Sequence, residues 1–181
     1  MVEAHNYPYA EGLYGIPFGD LTVPFYGRVR GGSGREIICQ ISRDWITLRD
    51  EGENYWMQAV VKGNEARAVI ATRKLTTGER HPDFFARKFF CFAFKYFEDS
   101  GLNVTKFVAR WVKSEGDFGS LNWDQYKEGV AKGLSPQEAA KSTWTGKVLA
   151  ECGFGEVEEL HEAVENPDVH PTYVVHAVFK K

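Results

Sequence analysis

The chain has 181 residues, of which 43% are hydrophobic, 14% aromatic and 26% charged, with 18 Gly and 7 Pro. That is the composition of a folded globular protein, and it excludes the disordered, collagen-like and low-complexity classes. The formal net charge of −3 argues against nucleic-acid binding as a property of the whole chain. Charge is unevenly spread: residues 62–113 carry 11 Lys/Arg against 5 Asp/Glu, and residues 114–181 carry 6 against 12. Such runs are ordinarily solvated faces, and the sharper reading is a basic face for an anionic ligand. No apolar run approaches the roughly 18 residues of a membrane span, so no membrane partner is expected. The start, MVEAHNYPYAEG, lacks the basic and apolar regions of a signal peptide. Cys39, Cys91 and Cys152 are odd in number and far apart, without metal-ligand spacing, so a reducing, cytoplasmic setting and no metal or cofactor are expected. Cys91, inside FFCFAF, is expected as a buried, inert thiol.

In chain order, residues 1–34 hold 7 of the 18 glycines and 4 of the 8 tyrosines, a mixture that cannot be helical. They are expected as an aromatic arm packed on a single α+β domain spanning 35–181. Residues 36–74 read as an antiparallel meander. Its strands hold Ile37 to Leu48, Tyr55–Val61 and Ala66–Lys74, and Lys62-Gly63-Asn64-Glu65 supplies a hairpin turn. A Phe-rich helix follows, with His81 as N-cap, Pro82 at the first helical position and Gly101 as the stop. Residues 103–113 alternate as a strand. Asn122 is expected to cap a short helix ending at Gly133. Ser135-Pro136-Gln137-Glu138 is a capping box that opens a helix running to Cys152. Glu156–Val164 and Thr172–Phe179 form a C-terminal hairpin. The expected class is α+β, an antiparallel sheet packed against the Phe-rich helix with two further helices.

The chain carries no P-loop, no GxGxxG after a strand, no HExxH and no GxSxG, which excludes the easily read enzyme classes. His161, His170 and His176 lie in or beside the last hairpin, where two histidines on neighbouring strands could form an acid/base pair. Arg110, Trp111, Lys113, Glu115 and Asp117 cluster at a strand end, and an Arg beside a Trp can clamp a phosphate or stack on a base. Catalytic candidates are His81, Arg110, Glu115, Thr143, Thr145 and Glu158; ligand-binding candidates are Arg87, Arg110, Trp111 and Trp144.

Two resemblances bear on these residues. An upstream Arg, the triplet Thr143-Trp144-Thr145 and the pair Glu156-Val157-Glu158, in that order, look like ADP-ribosyltransferases, which implies roles for Thr143, Thr145 and Glu158. Separately, residues 80–154 resemble a module of uncharacterised bacterial proteins, sometimes found at the ends of polymorphic-toxin-like chains. The features that carry it are the aromatic helix, Arg110-Trp111, Asn122 with Tyr126, Gly133-Leu134-Ser135, Ala139-Ala140, Thr143–Gly146 and Gly153-Phe154. This likeness implies that Trp111, Trp144 and Gly146 define the fold, and it implies no activity. The leading expectation is a binding or protein-interaction module, self-association included. The alternative is a small enzyme or toxin-like protein acting on a nucleotide or RNA. No DNA partner is expected, since the helix pair at 122–152 is acidic.

Overall fold

The computed structural model describes residues 13–14, 25–50, 52, 55–71, 77–84, 86–114 and 120–181. The protein is α+β, and its internal contacts divide it into two compact units, residues 1–104 and 105–181.

In the first unit, six antiparallel strands pair in chain order: β1 (Leu13–Tyr14), β2 (Phe25–Gly31), β3 (Glu36–Ile41), β4 (Trp45–Asp50), β5 (Tyr55–Lys62) and β6 (Glu65–Ala71). The period of two is plain in β3 and β4, where Ile37, Cys39, Ile41, Ile46 and Leu48 are fully buried and their neighbours are not. Gly63, at φ 64, makes the tight β5–β6 hairpin possible, as expected from its Gly-Asn pair. Residues 25–34 of the expected arm are β2 and the turn after it; most of the remainder, like residues 72–76, lies outside the described residues.

Helix α1 (Ala86–Asp99) buries Phe89, Phe90, Phe92, Phe94, Tyr96 and Phe97 and packs on β5, while Arg87, Lys88 and Lys95 stay exposed. It starts four residues later than its sequence signals indicate. His81-Pro82-Asp83 is a turn in which the His81 ring accepts the Asp83 N–H and also reaches Asp50, as described below.

The second unit is a three-stranded antiparallel sheet of order β7–β9–β8, formed by β7 (Lys106–Ser114), β8 (Glu156–Glu165) and β9 (Thr172–Lys180), with three helices on it. The C-terminal hairpin is where the sequence places it. Helix α2 (Leu121–Ala131) is capped by Ser120, whose hydroxyl accepts the Trp123 N–H, and not by Asn122. Gly129 permits α2 to approach α3, since a Cβ there would lie 3.0 Å from that of Ala139. The single helix expected from Ser135 to Cys152 is two, α3 (Pro136–Ser142) and α4 (Trp144–Glu151). The capping box is present as read. The break falls at Thr143, whose extended ψ of 163° ends one helix and caps the next.

Candidate functional site

His81 is buried, with 1% of its surface exposed. Its Nδ1 accepts the Asp83 backbone N–H at 3.1 Å, and its Nε2 lies 2.8 Å from Asp50 Oδ2. A backbone amide can only donate, so Nδ1 is unprotonated and the ring's proton sits on Nε2, donated to the Asp50 carboxylate. Both ring nitrogens are thereby used, and Tyr55 and Phe84 pack on the ring at 4.7 and 4.5 Å. Asp83 in turn accepts the Ser33 N–H at 2.9 Å and its hydroxyl at 2.6 Å. A Cβ at Gly31 would overlap that carboxylate. This network ties the β2–β3 turn and the end of β4 to the approach of α1. Ser33 bonds a carboxylate and not the imidazole, so this is not the Ser–His pairing of an activated serine.

Arg110, on the exposed face of β7, is ion-paired to Glu165 at 2.6 Å. Trp111 points the other way into the core, against Tyr126 and Phe179 at 6.1 and 6.3 Å. The strand register sets Arg110 opposite His176 and His176 opposite His161. The two imidazoles stack at 4.7 Å with an angle of 20°. The neighbouring-strand pair therefore exists. Rings stacked on each other leave no space between their faces for a reacting group held about 3 Å from both. Glu158, in the β8 bulge, pairs with Lys106 at 2.5 Å. Arg87 is exposed on α1, in the other unit from Arg110. Glu115 and Asp117 lie outside the described residues. Of the three thiols, Cys39 is the fully buried one, and burial pushes it up to about 12; Cys91 is only half-buried.

Thr143 and Thr145, both catalytic candidates, are buried. Thr143 Oγ1 donates to Ala140 O at 2.8 Å and accepts the Gly146 N–H at 3.0 Å. The first two amides of α4 are met from α2: Gln125 Oε1 accepts Trp144 N–H at 2.7 Å, and Asn122 Oδ1 accepts Thr145 N–H at 2.8 Å. The triplet is thus a helix junction whose orphan donors are satisfied by side chains. It is not brought together with Glu158 and Arg110, each of which holds its own ion pair.

An open groove of about 440 Å³ lies on the helix face of the second unit's sheet, lined by Lys113, Trp123, Lys127, Glu162, Val164 and Tyr173, with Ala163 and Val174 beneath. Its volume falls within the range of small-molecule sites. Four elements build it. β7 supplies Lys113, α2 supplies Trp123 and Lys127, and the β8–β9 hairpin supplies Glu162, Val164 and Tyr173. Lys113 Nζ sits 4.9 Å from the Trp123 ring centroid and Lys127 Nζ 5.9 Å, within cation–π reach.

Glu162 has both oxygens engaged, accepting the Tyr126 hydroxyl at 2.9 Å and Lys127 Nζ at 2.7 Å. The Lys127 bond, with help from Tyr126, holds the Glu162 carboxyl below its ordinary value against the opposing effect of burial. Burial, reinforced by the adjacent Glu162 carboxylate, pushes the Tyr126 phenol up to about 12. Neither group changes charge near neutral pH, and Glu162 stays ionised beside Lys127. Lys113 makes no ion pair among the described residues, which leaves the lining one positive charge in excess.

Sequence reasoning singled out Lys113 only as part of a strand-end cluster and missed Trp123, Lys127, Glu162 and Tyr173. The one available signal was the i, i+4 spacing of Trp123 and Lys127, which puts them on one helix face. Among the described residues, no group of three His, Cys, Asp or Glu side chains could hold a metal ion, and no helix is long and apolar enough to cross a membrane. No protein-family model, curated protein or solved structure matches the chain.

Proposed function

We propose that the protein is a binding module whose second unit takes a small aromatic monoanion, such as an arene carboxylate, in the groove over Trp123. The observation that carries this reading is the Lys113 ammonium held against the Trp123 face at the mouth of an open groove. Trp123 offers an aromatic floor, Tyr173 and Val164 offer exposed apolar walls, and Lys113 offers one cation without a carboxylate partner among the described residues. A single excess charge complements a monoanion better than a phosphate dianion, for which bidentate Arg is the usual receptor. The Glu162 carboxyl is held below its ordinary value and the Tyr126 phenol is pushed up to about 12, so neither is poised to exchange a proton near neutral pH. For this reason binding is preferred to catalysis.

The test is calorimetric titration with indole-3-acetate and with its uncharged isostere indole-3-acetamide. The acid is expected to bind and the amide to bind at least tenfold more weakly. Lys113→Ala should cost about tenfold in affinity, the worth of one charge-assisted hydrogen bond. Trp123→Ala should cost as much or more by removing the aromatic floor. Equal affinity for acid and amide, or no effect of either substitution, would overturn the assignment.

A further inference from the structure

The first unit presents a second surface, independent of the groove. Strand alternation sends Val29, Cys39, Leu48 and Met57 into the core under α1, and sends Tyr26, Trp45 and Trp56 to the opposite face of the sheet. Tyr26 is 62% exposed and Trp56 36%, and the Tyr26 and Trp45 rings lie 6.0 Å apart. Cations alternate with these rings. Arg49 stands directly across from Trp56, and Arg28 lies in the same row beyond Ile38. Arg67 lies in the row of Trp45, one strand beyond Val60. Among the described residues this face, with Arg30 and Lys62, carries five cations against Glu36, which pairs with Arg28, and Glu65, which sits across from Lys62; Arg49 already has a partner, and Arg30 and Arg67 are exposed. The face is thus positive in a chain whose net charge is −3.

We propose that this face binds single-stranded nucleic acid. Unpaired bases stack on aromatic side chains, and the backbone phosphates are held by the interleaved arginines. Rings and cations at neighbouring positions of one sheet face provide both contacts at once. Arg, Trp and Tyr also suit a protein interface, but several like charges on one face require an acidic complement, which the phosphates of a nucleic-acid strand supply at regular spacing. A duplex fits less well because its bases are already stacked on each other.

The experiment is fluorescence anisotropy of the full chain with labelled oligo(U) and oligo(dT) of about twelve nucleotides, with a duplex of the same length as competitor. Binding of either strand supports the proposal, and their ratio tells which sugar the face prefers. Raising salt from about 50 to 200 mM should weaken binding roughly 20-fold if about three phosphates are neutralised. Trp56→Ala should weaken it about tenfold, while Trp56→Phe, which keeps a ring, should recover most of the loss. Arg67→Ala should weaken binding and reduce the salt slope by about 0.7. Lys88→Ala, a charge-matched change on the exposed side of α1, should leave binding as it was. The proposal is overturned if neither strand binds at low salt, if Trp56→Ala binds like the parent, if the duplex competes better than the single strand, or if the face instead drives self-association without binding either strand.

Discussion

Asp50 and His81 illustrate what a side chain's partners decide. Burial alone would raise the Asp50 carboxyl. The hydrogen bond from His81, the Arg35 guanidinium 3.3 Å away and the Gly52 amide outweigh it and hold the carboxyl below its ordinary value. A carboxyl lowered in the folded state favours folding at pH above its unfolded value of about 3.9, and that contribution is lost as pH falls through the lower folded value. Chemical denaturation between pH 7 and pH 3 should therefore show stability falling at the acid end, with Asp50→Asn showing a shallower decline. An unchanged slope in the variant would remove Asp50 from this role. The sequence made His81 a helix cap because Pro82 follows it; nothing local shows that a residue 31 positions upstream will claim its Nε2. Gly146 is the converse case, singled out as a fold-defining residue and found so tightly placed that a Cβ would overlap the Ala140 carbonyl oxygen. That oxygen belongs to the backbone and cannot swing aside. Gly146→Ala should lower stability by about 3 kcal/mol, read as a shift of the urea midpoint without a change of slope.

At the scale of elements, periodicity and turn chemistry carried the reading far. The β3–β6 meander, the Gly63 hairpin, the Phe-rich helix, the Ser135 capping box and the C-terminal hairpin follow from residues close together in sequence. The break between α3 and α4 did not. Thr143 is an ordinary residue in a helical pattern, and its capping role becomes visible only once Asn122 and Gln125 are brought to the α4 amides. The sequence places Asn122 as a cap of its own helix; it serves a different one. Asn122→Ala should cost about 1–3 kcal/mol by leaving the Thr145 N–H without its acceptor. Asn122→Asp keeps an acceptor oxygen and should stay close to the parent in thermal or urea denaturation. Equal losses in both variants would show that the amide's shape matters and its acceptor does not.

For the molecule as a whole, net charge proved a poor guide. A total of −3 hides a sheet face with five cations in the first unit and a β8 strand with five glutamates in the second. The functional surfaces proposed above were scarcely legible in the sequence, for a physical reason. Both are assembled across strands and helices, and neither rests on a contiguous motif. Lys113 and Tyr173 sit 60 positions apart in the chain yet face each other as register partners on β7 and β9. Above all, the groove over Trp123 is expected to receive an aromatic anion. The most direct measurement uses nitrogen-15-labelled protein and follows the indole N–H resonances of its 5 tryptophans by NMR during titration with indole-3-acetate. The prediction is a saturable shift of the Trp123 indole, none at the buried Trp111, and no comparable shift with indole-3-acetamide. A still Trp123 signal, or one that moves equally with acid and amide, would contradict the claim.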